Sequence, residues 1–194
     1  MHTGCADRAR PRIRRLLQVL ENEVLDYLVT NAAGCGSALK TAHHLFEEGT
    51  ADHSATKNLT SRVRDALELV AESPSRVPRS AVKVRVAYLD ACHLMHGQGL
   101  TSLPRRLLGS VPQLELLEVD EAGLCCGSAG LYNLMQPEAA SALGARKASH
   151  IAEIRPDMVA VANPGCALQI QAHLPDIPVV HPIQILDRSL EGGV

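Results

Sequence analysis

The chain has 194 residues and a mass of 20.8 kDa, with 46% hydrophobic and 21% charged residues, a globular composition that excludes disorder as its overall state. Its net charge is −2 and aromatic residues make up 2%, so it has neither a broad basic surplus nor a set of stacking rings, and nucleic-acid binding is not expected. No apolar run approaches the roughly 20 residues that span a bilayer, and Met1 to Arg15 is polar and Arg-rich, without a secretory apolar core. A cytoplasmic, reducing location is therefore expected, where the six cysteines point more to metal or redox chemistry than to structural disulfides.

Read in order, helix and strand signals alternate. Arg8 to Glu21 sets Ile13, Leu16, Leu17 and Leu20 on one helical stripe. Asp26 to Thr30 reads as a short buried strand, stopped by Asn31 to Gly36, with a helix expected over Ser37 to Glu48. Gly49 to Lys57 is polar and reads as a loop; Leu59 to Ala71 returns to helical spacing, with Val63, Ala66, Leu67 and Val70 on one face. Glu72 to Ser80, holding two prolines and three serines, is the best candidate linker. Val82 to Leu89 is the clearest strand, followed by a loop bearing Cys92 and a short helix begun by Pro104. Leu114 to Val119 is the next strand, and Ser128 to Ile154 reads as mostly helical, interrupted at Pro137 and Gly144. Asp157 to Ala162 is a strand, Cys166 to His173 a helix, Ile177 to Val180 a strand and Ile183 to Leu190 a closing helix. Strands separated by helices predict an α/β fold on a parallel sheet.

One stretch repeats another. Asp26 to Leu39 (DYLVTNAAGCGSAL) echoes Asp157 to Ile170 (DMVAVANPGCALQI), each running from Asp through an apolar strand to Gly-Cys and a helix. The offset is 131 positions, and counterparts of Cys92, Cys125 and Cys126 would precede Met1. The first copy is thus expected to lack its beginning.

Cys92, Cys125-Cys126-Gly127 and Cys166 each follow a predicted strand or open a helix. The carboxyl ends of parallel strands line one edge of a sheet, where ligands bind, so four distant cysteines are expected to converge there. Thiolates are soft ligands for iron–sulfur clusters or zinc, and helix N-termini beside Gly127 and Cys166 would favour the ionised thiol. Zinc sites more often show CxxC knuckles, which are absent, as is the CxxCxxCxxxCP run of bacterial ferredoxins. Cys5, alone, reads as a small buried hydrophobe.

Asp90 to Gly99 (DACHLMHGQG), Leu124 to Glu138 (LCCGSAGLYNLMQPE) and Ala162 to Ile170 (ANPGCALQI) resemble, in order, the C-terminal cysteine-rich domain of the glycolate oxidase iron–sulfur subunit. That domain is one of the CCG family, shared with heterodisulfide reductases and lactate-utilisation proteins. Asn31 to Lys40 resembles the end of the family's first CCG repeat, and His2-Thr3-Gly4 the segment just after that repeat's own CCG. The resemblance implies parallel-sheet α/β/α CCG repeats, one truncated and one complete: residues 1–75 a remnant of the first, 76–81 a linker and 82–194 the complete second. It implies Cys92, Cys125, Cys126 and Cys166 as candidate ligands of an iron–sulfur cluster of the 4Fe-4S kind, with Cys35 the last cysteine of the first repeat. It further implies an electron-relay subunit of a glycolate (2-hydroxy acid) dehydrogenase, not active alone, with FAD on a flavoprotein partner and peripheral membrane association through the complex. The family's ferredoxin-like module is not in this sequence, and Asn163 stands where the fuller pattern has the first cysteine of a CxxC.

Around these cysteines, His93 and His96 are candidates to ligate iron or to donate hydrogen bonds, the bland reading of His93 being a buried loop histidine. Asp90 is suited to fix a loop amide or orient His93, and His181 to cap the last helix. Gly127 to Gly130 forms a small-residue entry able to cradle an anion or simply to allow close backbone approach. The arginines Arg8, Arg10, Arg12, Arg14 and Arg15 read as the wet face of a helix. Two other functions compete: a metal-free module docking a flavoprotein, and a thiol–disulfide relay through Cys125-Cys126, a strained pairing for adjacent residues. The region before about Ser80 is expected to be the less stable part, with Cys35 an ordinary thiol.

Overall fold

The computed structural model describes residues 4–73, 78–121 and 123–190. The front of the chain runs α1 (Ala6–Leu20), β1 (Leu28–Thr30), α2 (Ala33–Lys40), a 3-10 turn (Ala42–Leu45), α3 (Ala51–Ser61), β2 (Val63–Asp65) and α4 (Ala66–Glu72). The remainder runs β3 (Val84–Leu89), a π-helical turn (His93–Gly97), α5 (Leu103–Gly109), β4 (Leu114–Leu117), α6 (Tyr132–Met135), α7 (Pro137–Glu153), β5 (Met158–Val161), α8 (Pro164–His173), β6 (Val179–Val180) and α9 (Pro182–Arg188). All strand pairings are parallel: β1 with β2 in one sheet, and a second sheet in the order β4-β3-β5-β6. The α/β class with parallel sheets is what the alternation of signals predicts.

β3 is the axis of the larger sheet. Its residues Val86 to Leu89 are at most 2% exposed, flanked by strands on both edges and packed in the main apolar cluster; such strands read as continuous apolar runs. The chain leaves β3 for β4 on one side and returns to β5 on the other. The carboxyl ends of β3 and β5 therefore flank the point where the crossovers diverge, the usual crevice of an open α/β sheet.

Several expectations for the front are corrected. α2 begins at Ala33, ahead of Ser37, because its first N–H groups find acceptors outside the helix: Ala33 N–H donates to Ala162 O (3.0 Å) and Gly34 N–H to Asn163 Oδ1 (3.2 Å). The expected loop at Gly49 to Lys57 is mostly α3, started by Thr50, whose hydroxyl accepts from His53 N–H (3.2 Å). Its buried residues are only His53, Thr56 and Leu59, too thin a stripe to read as a helix. The expected helix over Leu59 to Ala71 is divided: Val63 to Asp65 pairs with β1, and Asp65 then caps α4 in a capping box with Glu68.

In the rest of the chain, α6 begins only at Tyr132, since Gly127, Ala129 and Gly130 all have positive φ. Gly144 does not interrupt α7. It lies where α8 comes closest, and an added Cβ would meet His173 Nε2 at 2.6 Å and Gln169 Nε2 at 2.8 Å. Of the expected linker, residues 74–77 lie outside the described residues. Arg79 and Ser80 are tied to α9, Arg79 Nη1 donating to Ser189 Oγ (2.9 Å) and Ser80 N–H to Ser189 O (2.6 Å). One apolar cluster spans β3, β5, α8 and α9 and takes in Ala33 and Leu67 from the front; Ile13, Ala42 and Phe46 form a smaller one.

Candidate metal centre

Three strand ends deliver the cysteines. β3 runs out through Asp90 into the π-helical turn, with Cys92 immediately before it; such turns are frequent at functional sites. β4 leads into the loop that carries Cys125 and Cys126, and β5 into α8, with Cys166 in its first turn. All four thiols line one small cavity with Leu89, Asp90, Met95, Leu124, Lys147 and Val161. Its free space is about 10 Å³, roughly the size needed to admit one water.

The buried pair is Cys126 and Cys166, each 7% exposed, with Cys126 Sγ donating to Cys166 Sγ at 3.0 Å. Both are free thiols, as are Cys92 and Cys125. Donation of that proton pushes the Cys126 pKa up and holds Cys166 below the usual thiol value, with the Asn163 amide adding to the latter (Nδ2 to Sγ, 3.4 Å). Burial pushes Cys92 up. The direction at Cys166 matches the expectation from its helix N-terminus, although the cause differs. Near Gly127 no helix start supplies such an effect, because α6 begins five residues later.

The remaining sequence candidates separate into those at the cavity and those away from it. Asp90 is at its wall, its side chain 6% exposed, and is gripped by Arg105 through two contacts of 2.8 Å. His93 is half-buried, with Nδ1 3.6 Å from Cys92 Sγ, while His96 is exposed. Gly127 donates its N–H to Cys125 Sγ (3.4 Å) at φ +87°, with its missing Cβ facing Ala140 O. Asn163 stands at the N-cap position of α8 without a side-chain cap bond; its amide instead bridges Cys166 to Gly34. Cys35 is exposed on the first turn of α2 and does not line the cavity, and Cys5, expected to be buried, is exposed ahead of α1. His181 does cap the last helix, Nδ1 accepting from Ile183 N–H (3.1 Å).

Sequence reasoning missed Lys147 and Arg105. Lys147 is 1% exposed on α7, in the same stripe as Ala140, Gly144, Ala148 and Ile151, and a lysine inside an apolar helical stripe was the available signal. Its Nζ donates to Leu124 O (2.9 Å) and Glu121 O (3.4 Å). Burial lowers its pKa, opposed by the nearby Asp90, Cys126, Cys166 and Cys125.

Four soft thiols, N–H donors from Gly127 and Asn163, and a buried ammonium are a donor set suited to an anionic, thiolate-held iron–sulfur group. The side chains stand as free thiols in contact. Two thiolates on one tetrahedral metal lie about 3.7 Å apart at the usual metal–sulfur length, farther than the 3.0 Å between Cys126 and Cys166. Among the described residues no three Cys, His, Asp or Glu side chains form a group that could hold a metal ion as they stand. Binding one tetrahedral metal therefore requires these two sulfurs to part by under an ångström and to lose the shared proton, whereas a four-iron cluster, with each cysteine on its own iron, requires the cavity of about 10 Å³ to open much further.

The sheet and its converging thiols define a cysteine-rich α/β domain. Residues 86–171 match the family model of the CCG cysteine-rich domain. It is 32% identical to a fumarate reductase (CoM/CoB) subunit of Methanothermobacter marburgensis over 194 residues, 97% of this chain and 37% of that protein. It is 27% identical to the probable glycolate oxidase iron-sulfur subunit of Bacillus subtilis over 172 residues, 88% of this chain and 39% of that one. Against lactate utilization protein A of Oceanobacillus iheyensis it is 23% identical over 198 residues, covering 100% of this chain and 80% of the relative. The chain thus spans less than two fifths of the length of the first two relatives. No helix among the described residues is long and apolar enough to cross a membrane.

Proposed function

We propose that the chain is an electron-transfer module of an oxidoreductase, with Cys92, Cys125, Cys126 and Cys166 holding an iron–sulfur cluster. The observation that carries this reading is the convergence of four thiols from three strand ends on one cavity at the sheet's switch point. A bound cluster supplies a one-electron carrier. The protein's own groups orient and shield it: Gly127 and Asn163 aim N–H groups at sulfurs, and the Arg105–Asp90 pair fixes the strand end that leads to Cys92. The relatives' names, a glycolate oxidase iron-sulfur subunit and a lactate utilization protein, support a place in a complex that oxidises a 2-hydroxy acid such as glycolate, and we infer for it a flavoprotein partner that carries FAD. In this reading the chain works in the cytoplasm, at the inner membrane face through its complex, and does not oxidise glycolate alone. Residues 1–75 are then a partial first repeat, 76–81 a linker and 82–194 the complete second.

The test is anaerobic reconstitution of the full chain with ferrous iron and sulfide, followed by iron and sulfide analysis and electron paramagnetic resonance. Uptake of both, lost when any one of the four cysteines is changed to Ser, is expected. A wild-type chain that takes up no iron refutes the reading. Reversible formation of a Cys126–Cys166 disulfide in such an iron-free chain would favour a thiol relay instead.

A further inference from the structure

Lys147 is the one lysine among the residues lining the thiol cavity, and its side chain is 1% exposed. A buried ammonium pays a desolvation penalty of several kcal/mol unless charge and hydrogen bonds compensate it. The hydrogen bonds are there, to the carbonyls of Leu124 and Glu121 in the loop that carries Cys125 and Cys126. For charge, the lining residues able to become anionic are Asp90 and the four cysteines. Both oxygens of Asp90 are already engaged by the Arg105 guanidinium at 2.8 Å. Among the described lining residues, the four cysteines are the groups other than Asp90 that become anionic on losing a proton.

We propose that Lys147 is the charge-compensating residue of the cysteine site, selecting a group whose complex with the thiolates carries net negative charge. The proposal deepens the iron–sulfur reading and takes its ligand class from it. The same ammonium clamps the Cys125–Cys126 loop, so one side chain couples the loop's shape to the charge it holds. A positive charge on the wall of the same cavity stabilises the more reduced, more negative state of the bound group, and its removal makes that group harder to reduce.

The test separates charge from clamp. Lys147→Gln keeps an N–H donor for Leu124 O and loses the charge; Lys147→Met loses both; Lys147→Arg keeps the charge. The first probe is Cd²⁺ alone on the reduced full chain, followed by its thiolate-to-metal absorbance. Four thiols binding one Cd²⁺ release four protons and leave a dianionic centre. Tenfold or greater weakening in both Lys147→Gln and Lys147→Met is expected, with Lys147→Arg within about threefold of wild type. The second probe is the midpoint potential of the iron–sulfur-reconstituted chain, expected to fall in Lys147→Gln. Wild-type affinity and potential in Lys147→Gln overturn the proposal and leave Lys147 a loop clamp. In the wild-type chain, the Lys147 side-chain NMR signal is expected to shift on Cd²⁺ loading; an unmoved signal overturns the proposal even if every variant misfolds. Lys147-dependent Cd²⁺ binding in a chain that takes up no iron and sulfide would refute the iron–sulfur reading and sustain this one.

Discussion

Gly127 closes the turn after the two adjacent cysteines, and replacing it with Ala tests how tightly that turn is built. Its φ is +87°, and a Cβ would stand 2.3 Å from Ala140 O, 3.1 Å from the carbonyl carbon and 3.2 Å from the Cα of the same residue. Those atoms are helix backbone in α7. The carbonyl is also held from α8, where Gln169 Nε2 donates to Ala140 O at 3.0 Å, so neither partner yields by a simple rotamer change. The left-handed conformation costs an L-residue about 1–2 kcal/mol, and forcing a methyl into packed backbone costs about 1–3 kcal/mol more. Gly127→Ala is expected to lose about 2–5 kcal/mol in total, a large share of a typical domain's stability. Gly99→Ala is the control: φ is +72° there, but nothing lies within 4 Å of the new Cβ, so only the conformational part applies. With no Trp in the chain, urea unfolding is followed by far-ultraviolet circular dichroism. If Gly127→Ala unfolds within about 0.5 kcal/mol of Gly99→Ala, the close packing of the cysteine turn on α7 is wrong.

Asp65 and Arg105 give two further tests. Asp65 is 0% exposed and its pKa is raised, first by burial and then by Glu68, against the opposing Leu67 N–H, Lys40 and Gln98. A carboxyl raised in the folded state binds its proton more tightly there than when unfolded, so its contribution is fully present below the ordinary Asp value and is lost as pH rises through the folded value. Asp65→Asn keeps the acceptor for Leu67 N–H and removes the buried charge. It should match or exceed wild-type stability at neutral pH, with the gap closing on acidification; urea titrations that show the gap widening in acid would contradict this. Arg105→Ala strips a side chain that grips both Asp90 and Glu118 and stacks 4.9 Å over Tyr88, leaving Asp90 buried alone. A loss of about 2–4 kcal/mol is expected, at the lower end of buried-pair cases because Arg105 is 24% exposed, and a loss under about 0.5 kcal/mol in urea refutes it. Native-state hydrogen exchange should show Ile13 to Leu17 less protected than Val86 to Tyr88, since the former pack in the smaller apolar cluster; equal protection would count against the partial-repeat reading.

The larger sheet was readable because its two central strands are largely buried, so burial and sequence pattern coincide at Val84 to Leu89 and Met158 to Val161. The convergence of the cysteines was readable for the same reason, since a parallel sheet sends every strand's carboxyl end to one edge. The front was harder. Val63 and Leu67 lie four positions apart, as on one helical face, yet Val63 pairs with Leu28 in a strand while Leu67 is in a helix. The signal that divides them is the Asp65…Glu68 capping box, a local polar pattern that apolar periodicity overrides. Lys147 escaped because a long side chain in an apolar stripe ordinarily snorkels outward. Here the loop carbonyls of Glu121 and Leu124 receive it inside, and no sequence rule foretells which loop will fold over a helix.

The front and back echo each other in structure as well as in sequence. With the 131-residue offset, α1 falls on α7, β1 on β5 and α2 on α8, and beyond the inserted α3 the pair β2–α4 answers β6–α9. Both pairs are joined by a capping box, Asp65 with Glu68 and His181 with Gln184, a likeness that apolar pattern alone would not produce. The two matching turns meet where their strands end: Ala33 N–H donates to Ala162 O and Gly34 N–H to Asn163 Oδ1. Asn163 therefore has two duties, presenting an amide to Cys166 and anchoring the helix that bears Cys35. The difference lies at the other strand edge. β5 pairs with β3, which delivers Cys92, whereas β1 has only β2 beside it among the described residues. Cys166 shares its cavity with Cys92, Cys125 and Cys126, whereas Cys35, at the matching position of α2, is exposed and does not line it.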